Sequence, residues 1–239
     1  MNESEEVLFE PRAAVGWLTL NRPQKANALS MSMMAALIER LERAAADAAT
    51  GALVITGSGE RAFSGGVDVR STSELPPQQH AQQRSERFFR LLLACAEFPK
   101  PLVAAVNGVA SGGGLMLAML ADRVVAVEGA ALALPEIDLG MPTFAGMAIL
   151  RHFGGNGLAA DLALTGRRMP AAEARTRGLL AETVAGAAEL AERAQQCALS
   201  LAAKPAYAFA LSKRWLNAPL VAALHEAHRE SEAARRAAS

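Results

Sequence analysis

The N-terminal half of the chain alternates short apolar runs with amphipathic stretches. Four of the apolar runs have the length and composition of β-strands: Val15–Leu20, Ala52–Thr56, Leu102–Val106 and Val124–Val127. The run Leu102–Val106 has no polar residue, which is typical of a strand that is covered on both faces.

Helical periodicity fills the intervals between these runs. Ser30 can cap a helix whose apolar residues recur at helical spacing, at Met34, Leu37, Ile38 and Leu41. Another helix is expected directly after the glycines at 112–114. Strand and helix therefore alternate to about residue 135, which predicts an α/β fold.

The last third of the chain is predicted to be mostly helical. One helix ends at Gly166, and a short helix begins at Pro170 and stops at Gly178. Three longer, separate helices are expected at 187–203, 206–216 and 220–238.

The chain shows no low-complexity linker, so we divide it by its predicted elements alone. Residues 1–185 form the core, and residues 186–239 form a C-terminal helical region. The segment Glu74–His80 contains two adjacent prolines and is expected to be a mobile loop.

Composition excludes several classes of function. The 24 Lys and Arg residues balance 24 Asp and Glu, and the chain has a single Tyr and two Trp, so neither a basic field nor stacking platforms for nucleic acid are expected. No apolar run is long enough to span a membrane. The acidic N-terminus does not fit a signal peptide, and Cys95 and Cys197 form no disulfide framework. A cytoplasmic protein is expected.

Two glycine-rich segments are the candidates for chemistry. They are Ala62–Asp68, which follows a strand, and Asn107–Leu115, which lies between a buried strand and a helix. Glycine allows the backbone amides to approach a ligand closely, and two converging amides can stabilise an enolate oxygen. The alternative is that both segments are tight turns without a ligand. A dinucleotide fingerprint and a P-loop do not fit, because the required spacing and the Gly-Lys-Ser/Thr sequence are missing.

The chain resembles the enoyl-CoA hydratase/isomerase (crotonase) superfamily over about residues 15–216. The matching landmarks, in their usual order, are Asn21-Arg-Pro, Asn27-Ala-Leu, Ala62-Phe-Ser-Gly-Gly-Val-Asp68, Lys100-Pro, Asn107-Gly, Gly112-Gly-Gly, Asp122, Pro135-Glu, Leu139-Gly, Leu164-Thr-Gly and the helix start at Ala171. The resemblance implies an α/β fold, a superhelix of ββα units followed by a C-terminal helical region. It also implies that the region 186–239 assembles the chain into a homotrimer or hexamer.

The resemblance also implies a thioester site. The amides of Val67 and Gly113 would form an oxyanion hole. The resemblance assigns Lys25, Ala26 and Gly65 to the coenzyme A part of the substrate, and Arg70 either binds a coenzyme A phosphate or is a solvated surface arginine. The expected substrate-binding residues also include Gly66, Asp68, Met116, Met141 and Phe144. Coenzyme A enters as part of the substrate, and no separate cofactor or metal is expected.

The acid/base positions decide the expected reaction. Family hydratases carry two glutamates, whereas this chain has Met116 at the first position and keeps Glu136 at the second. A thioether cannot move a proton, so Met116 is expected to form an apolar acyl pocket with Met119 and Met141. Dienoyl isomerases of the family use further acidic groups, of which one would fall at Met116 and another near Phe144, and neither residue is acidic here. A single carboxylate suffices to move a proton between C2 and C4, so an enoyl-CoA isomerase with Glu136 as the one acid/base is predicted.

Four alternatives stay open at this point. Three are a thioester decarboxylase, an enoyl-CoA hydratase and a non-catalytic thioester-binding scaffold. The fourth concerns the substrate: because the C-terminus departs from the family pattern, an acyl-carrier-protein thioester is an alternative to acyl-CoA. A serine hydrolase at Ser111 does not fit, since Val109 breaks the G-x-S-x-G pattern. His225 and His228 are expected on a solvated helix face and not at a metal site.

Overall fold

The structure is a computed structural model that describes residues 5–71 and 73–237. Its strands are β1 (Val7–Arg12), β2 (Val15–Leu20), β3 (Ala52–Gly57), β4 (Ala62–Ser64), β5 (Leu102–Val106), β6 (Val109–Ser111), β7 (Arg123–Val127), β8 (Ala131–Ala133), β9 (Arg168–Pro170) and β10 (Glu182–Val184). Its α-helices are α1 (Met31–Ala46), α2 (Pro77–Ala96), α3 (Gly113–Met119), α4 (Phe144–Thr165), α5 (Ala171–Thr176), α6 (Ala187–Ala202) and α7 (Ala206–Ala237). Short 3-10 helices occur at Pro23–Lys25 and Pro135–Leu139.

Two sheets organise these elements. The larger has the strand order β1-β2-β3-β5-β7-β10, and only its β1–β2 pair is antiparallel. The smaller has the order β4-β6-β8-β9 and is parallel except at β8–β9. The predicted α/β class is confirmed.

The central strands of the larger sheet are buried on both faces. Alternate residues such as Leu18 and Ile55 join the main core, which includes residues of α1, α2 and α3. The intervening residues, among them Trp17 and Val54, pack with residues of α6 in a second cluster. Trp17 also donates its indole N–H to Gln195 of α6 at 2.6 Å.

Helix α1 forms where its pattern predicts. The Ser30 hydroxyl accepts a hydrogen bond from the Met33 amide at 3.0 Å, which satisfies one free amide of the first turn. The predicted apolar residues Met34, Leu37 and Leu41 are buried. Both the cap and the buried face are therefore confirmed.

Two predictions of local structure are wrong. Helix α2 begins at Pro77, so the expected loop ends at Pro76 and Pro77–His80 is helical; proline is tolerated there because first-turn amides have no intrahelical acceptor. Helix α7 runs through Pro219 instead of breaking. Leu220 and Leu224, on the C-terminal side of the proline, are buried, and Lys213, on the other side, pairs with Asp122 at 2.7 Å, so tertiary packing holds both sides.

The ends of the other predicted helices agree closely with the structure. Gly166 ends α4 with φ +63°, and α5 follows Pro170. Residue 238, the predicted last residue of the final helix, lies outside the described residues. No helix in the described part of the chain combines the length and the apolar character that crossing a membrane requires.

Candidate active site

A cavity of about 520 Å³ lies where the two glycine-rich segments, the 3-10 helix Pro135–Leu139 and helices α2 and α7 meet. Eight of the residues predicted for the site line it: Gly65, Gly66, Val67, Gly113, Met116, Glu136, Met141 and Phe144. The structure therefore brings together residues that are up to 79 positions apart in the sequence, from Gly65 to Phe144.

Val67 and Gly113 lie on adjoining backbone segments. A β-carbon on Gly66 would be 3.3 Å from the Gly113 nitrogen, and one on Gly113 would be 3.0 Å from Cγ2 of Val67. Leu29 and Val67 form an isolated β-bridge, in which the Leu29 amide donates to the carbonyl of Gly66 and the Leu29 carbonyl accepts from the amide of Asp68. The amide of Val67 takes no part in this bridge. Gly113 is the first residue of α3, and first-turn amides have no acceptor within their helix.

Close packing of these segments depends on Ser64 and Gly114. A β-carbon on Gly114 would lie 2.3 Å from the carbonyl oxygen of Ser64, so a larger residue would push the segments apart. The Ser64 hydroxyl donates to the carbonyl of Asn27 at 2.9 Å and accepts from the Gly66 amide at 3.2 Å. These contacts fix the path of the backbone just before Val67.

Asn27 stabilises the first glycine-rich segment, Ala62–Asp68, through hydrogen bonds of its side chain. Its side chain is buried, donates to the carbonyls of Ser58 and Ala62, and accepts from the Arg22 amide. Because a buried amide left without partners costs about 1–3 kcal/mol, this network stabilises one arrangement of the loop.

Glu136 projects from the 3-10 helix onto the second glycine segment. A β-carbon on Gly112 would be 2.8 Å from its Oε1, and its buried Oε2 has no hydrogen-bond partner among the described residues. Burial raises the pKa of Glu136 above its ordinary value. A carboxyl group in this state holds and releases a proton at a higher pH than a solvated glutamate does.

The surroundings of Glu136 are otherwise apolar. Met116 is 5% exposed and lines the cavity with Phe88 and Phe144. Glu136 is the one acidic residue among the described residues that line it. Met119, which was expected in this pocket, does not line it; Met119 is buried and lines a separate, smaller cavity.

Four predicted substrate residues do not line the cavity. Lys25 and Arg70 are exposed, and Ala26 is partly buried with φ +51°. Asp68 pairs with Arg22 at 3.1 Å. The carbonyl of Ala26 accepts from the Gly65 amide at 2.8 Å, so this residue supports the segment that reaches the cavity.

Sequence reasoning missed the contribution of α2 and α7 to the cavity. Phe88 lies against Gly113, with its Cζ 2.9 Å from a β-carbon built there, and His228 stacks on Phe89 with ring centroids 4.1 Å apart. His225 is exposed, as expected of a solvated helix face, whereas His228 is only partly exposed and lines the cavity. The apolar residues Phe88, Phe89 and Leu92 were the signal, since they recur at helical spacing. No group of three or more potential metal ligands lies together within residues 5–71 and 73–237.

Comparison with known proteins decides the family. The family model for enoyl-CoA hydratase/isomerase matches residues 10–236. The chain belongs to the enoyl-CoA hydratase/isomerase family. The fold expected from the sequence resemblance, a crotonase-type α/β fold with a C-terminal helical region, is thereby confirmed.

Relatives within the enoyl-CoA hydratase/isomerase family carry names of both activities. A probable enoyl-CoA hydratase of Rhizobium meliloti is 41% identical over 76% of this chain and 69% of its own length. A 1,2-epoxyphenylacetyl-CoA isomerase of Escherichia coli is 35% identical over 89% of this chain and 82% of its own length. A solved structure of an enoyl-CoA hydratase/isomerase from Mycobacterium paratuberculosis superposes with a TM-score of 0.87, at 29% identity, over 98% of this chain and 94% of that chain.

Proposed function

We propose that this protein is an enoyl-CoA isomerase that shifts a double bond in an acyl-CoA thioester, with Glu136 as its single acid/base. The observation that supports this most is that Glu136 is alone among acidic residues in the lining of the described cavity. Hydration requires one group to orient a water and another to complete the proton transfer. Met116 occupies the place where a second carboxylate is expected and cannot serve in that role.

In the proposed reaction, backbone amides bind the thioester oxygen and the Glu136 side chain transfers the proton. The thioester oxygen of a 3-enoyl substrate accepts hydrogen bonds from the amides of Val67 and Gly113. Glu136 takes a proton from C2, the electron pair moves onto the thioester oxygen, and the double bond shifts to C2–C3 as the same carboxyl returns the proton at C4. The adjoining backbone segments that carry the two amides support this arrangement, and such amides are worth about 2.7–4 kcal/mol each in the transition state.

The raised pKa of Glu136 fits both halves of the reaction. Its carboxylate must be basic enough to take the proton and, once protonated, acidic enough to return it. An apolar surrounding, supplied here by Met116, Phe88 and Phe144, raises the pKa of a carboxyl group in this way.

A turnover screen tests the proposal. Wild-type protein is incubated separately with 3-enoyl-CoA, 2-enoyl-CoA and malonyl-CoA, and products are separated by chromatography. The proposal predicts conversion of 3-enoyl-CoA to 2-enoyl-CoA. Rapid hydration of 2-enoyl-CoA or release of CO₂ from malonyl-CoA, without isomerisation, would overturn it, and no turnover of any thioester would favour a binding scaffold.

A further inference from the structure

Helices α2 and α7 lie side by side along the cavity and run antiparallel. The Asn217 side chain donates to the carbonyl of Ala96 at 2.8 Å, and His228 stacks on Phe89. Residue numbers therefore rise along α7 as they fall along α2. The C-terminal end of α7 lies beside the N-terminal end of α2.

The cavity-lining face of α2 changes character along its length. Toward the C-terminal end it presents Leu92, Phe89 and Phe88. One turn nearer the N-terminus it presents Ser85 and Arg84. Phe88 lies against Gly113, so Arg84 is about 6 Å further along the helix axis from the oxyanion site.

The cavity-lining face of α7 becomes polar toward the C-terminal end of that helix. Leu224 and Ala227 are followed by His228, Ser231 and Arg235. Since the two helices are antiparallel, their polar residues meet at one end of the cavity. That end carries hydroxyl groups and cations, and no acidic residue among the described residues lines it.

Arg84 is the residue at this end of the cavity whose contacts indicate an anionic ligand. It is partly buried, and it forms no hydrogen bond or ion pair with any residue in the described ranges 5–71 and 73–237. Asp68 acts on it electrostatically, but the Asp68 carboxylate is already paired with Arg22. Burying part of a guanidinium group without a hydrogen-bonded anion costs free energy. A carboxylate offsets that cost, because it accepts two parallel hydrogen bonds from the guanidinium group.

We propose that Arg84 binds a carboxylate at the far end of the acyl chain, so that the preferred substrate is a CoA thioester of a short dicarboxylic acid. Ser85 and Ser231 supply further hydroxyl donors beside it. The apolar stretch formed by Phe88 and Phe89 holds the methylene groups between the thioester and the carboxylate. This inference rests on the proposed function, because it assumes that the thioester carbonyl lies at Val67 and Gly113.

Calorimetric binding of two saturated thioesters tests the inference without turnover. Adipyl-CoA and hexanoyl-CoA have the same chain length and differ in the terminal carboxylate. Wild-type protein is expected to bind adipyl-CoA roughly 10–100-fold more tightly, the usual worth of a hydrogen-bonded charge pair. Arg84→Met should remove this preference while leaving the affinity for hexanoyl-CoA unchanged. Arg90→Met, an exposed arginine of the same helix, is the matched control and should keep the preference.

Each other outcome overturns the inference in a recognisable way. Equal affinity of the wild type for both thioesters would exclude a carboxylate site. Equal weakening of both thioesters by Arg84→Met would place Arg84 on the coenzyme A phosphates instead. Failure of both thioesters to bind would overturn the proposed function as well, whereas binding of hexanoyl-CoA without a preference would leave the proposed function standing.

Discussion

The Glu136 carboxylate lies directly against the backbone of Gly112. A β-carbon at residue 112 would be 2.8 Å from Oε1 and 3.5 Å from the carboxyl carbon. Gly112 also has φ +53° and ψ −123°, a conformation that residues with a side chain rarely adopt. The second glycine segment therefore positions an amide of the proposed oxyanion hole and also makes room for the acid/base.

Gly112→Ala should lower the turnover rate by far more than its loss of folding stability explains. The added methyl group meets Glu136, and a displacement of about 1 Å at a reacting group costs roughly 10²-fold in rate. Gly178→Ala is the control, because Gly178 has φ +79° but nothing lies within 4 Å of a β-carbon there. Steady-state kinetics and thermal unfolding of both variants check this. Wild-type turnover in Gly112→Ala would contradict the proposed placement of Glu136.

Met116→Glu should introduce hydration of 2-enoyl-CoA. It restores the second carboxylate beside Glu136, and because Met116 is 5% exposed the buried charge should lower the free energy of unfolding by at least about 1–3 kcal/mol. Glutamine has nearly the same shape as glutamate but transfers no proton, so Met116→Gln should not gain hydration activity. A gain in hydration that is equal in the two variants would disprove the role assigned to the carboxylate.

The pH profile of kcat/KM should have an acidic limb above the ordinary range of glutamate. Glu136 must be ionised to take the C2 proton, and burial raises its pKa, so activity is lost as the pH falls through that raised value. Arg84, Arg235 and His228 are the other ionisable residues that line the cavity in the described part of the chain. The residual rate of Glu136→Gln should lack this limb; if the limb persists, another group titrates.

The isolated protein should be a trimer or hexamer. Exposed apolar residues recur along one side of α7, with Tyr207 80%, Leu211 37% and Trp215 82% exposed, and such a stripe favours burial between subunits. Light scattering after size exclusion should give a mass three or six times the chain mass of 25.0 kDa. Trp215→Arg should lower that mass, whereas Leu164→Arg, on the exposed end of α4, should not. A monomer at micromolar concentration would contradict this prediction.

Local sequence signals predicted the parts of the site that depend on local structure. The cap at Ser30 and the strands before each glycine segment follow from residue type and spacing. Glycine is required at 112 and 114 because other atoms approach the backbone there, and a glycine cluster between a strand and a helix already indicates such an approach.

Local signals indicate an apolar face on α2, but the pairing of that face with α7 along the cavity depends on long-range packing. Helix α7 continues through Pro219, although a proline within a helix removes a hydrogen bond, because buried residues on both sides hold it. That continuity brings His228 onto Phe89, which is 139 positions away in the sequence. The cationic end of the cavity follows from the antiparallel pairing of α2 and α7 and from no single segment.

The most direct test of Glu136 as the single acid/base is the isomerisation rate of Glu136→Gln with 3-enoyl-CoA. This substitution keeps the shape of the side chain and removes its ability to take a proton. This role predicts a fall of about 10²–10⁴-fold in kcat, the usual worth of a general acid/base, with thioester affinity preserved by the amides of Val67 and Gly113. An isomerisation rate within a few-fold of wild type would contradict it.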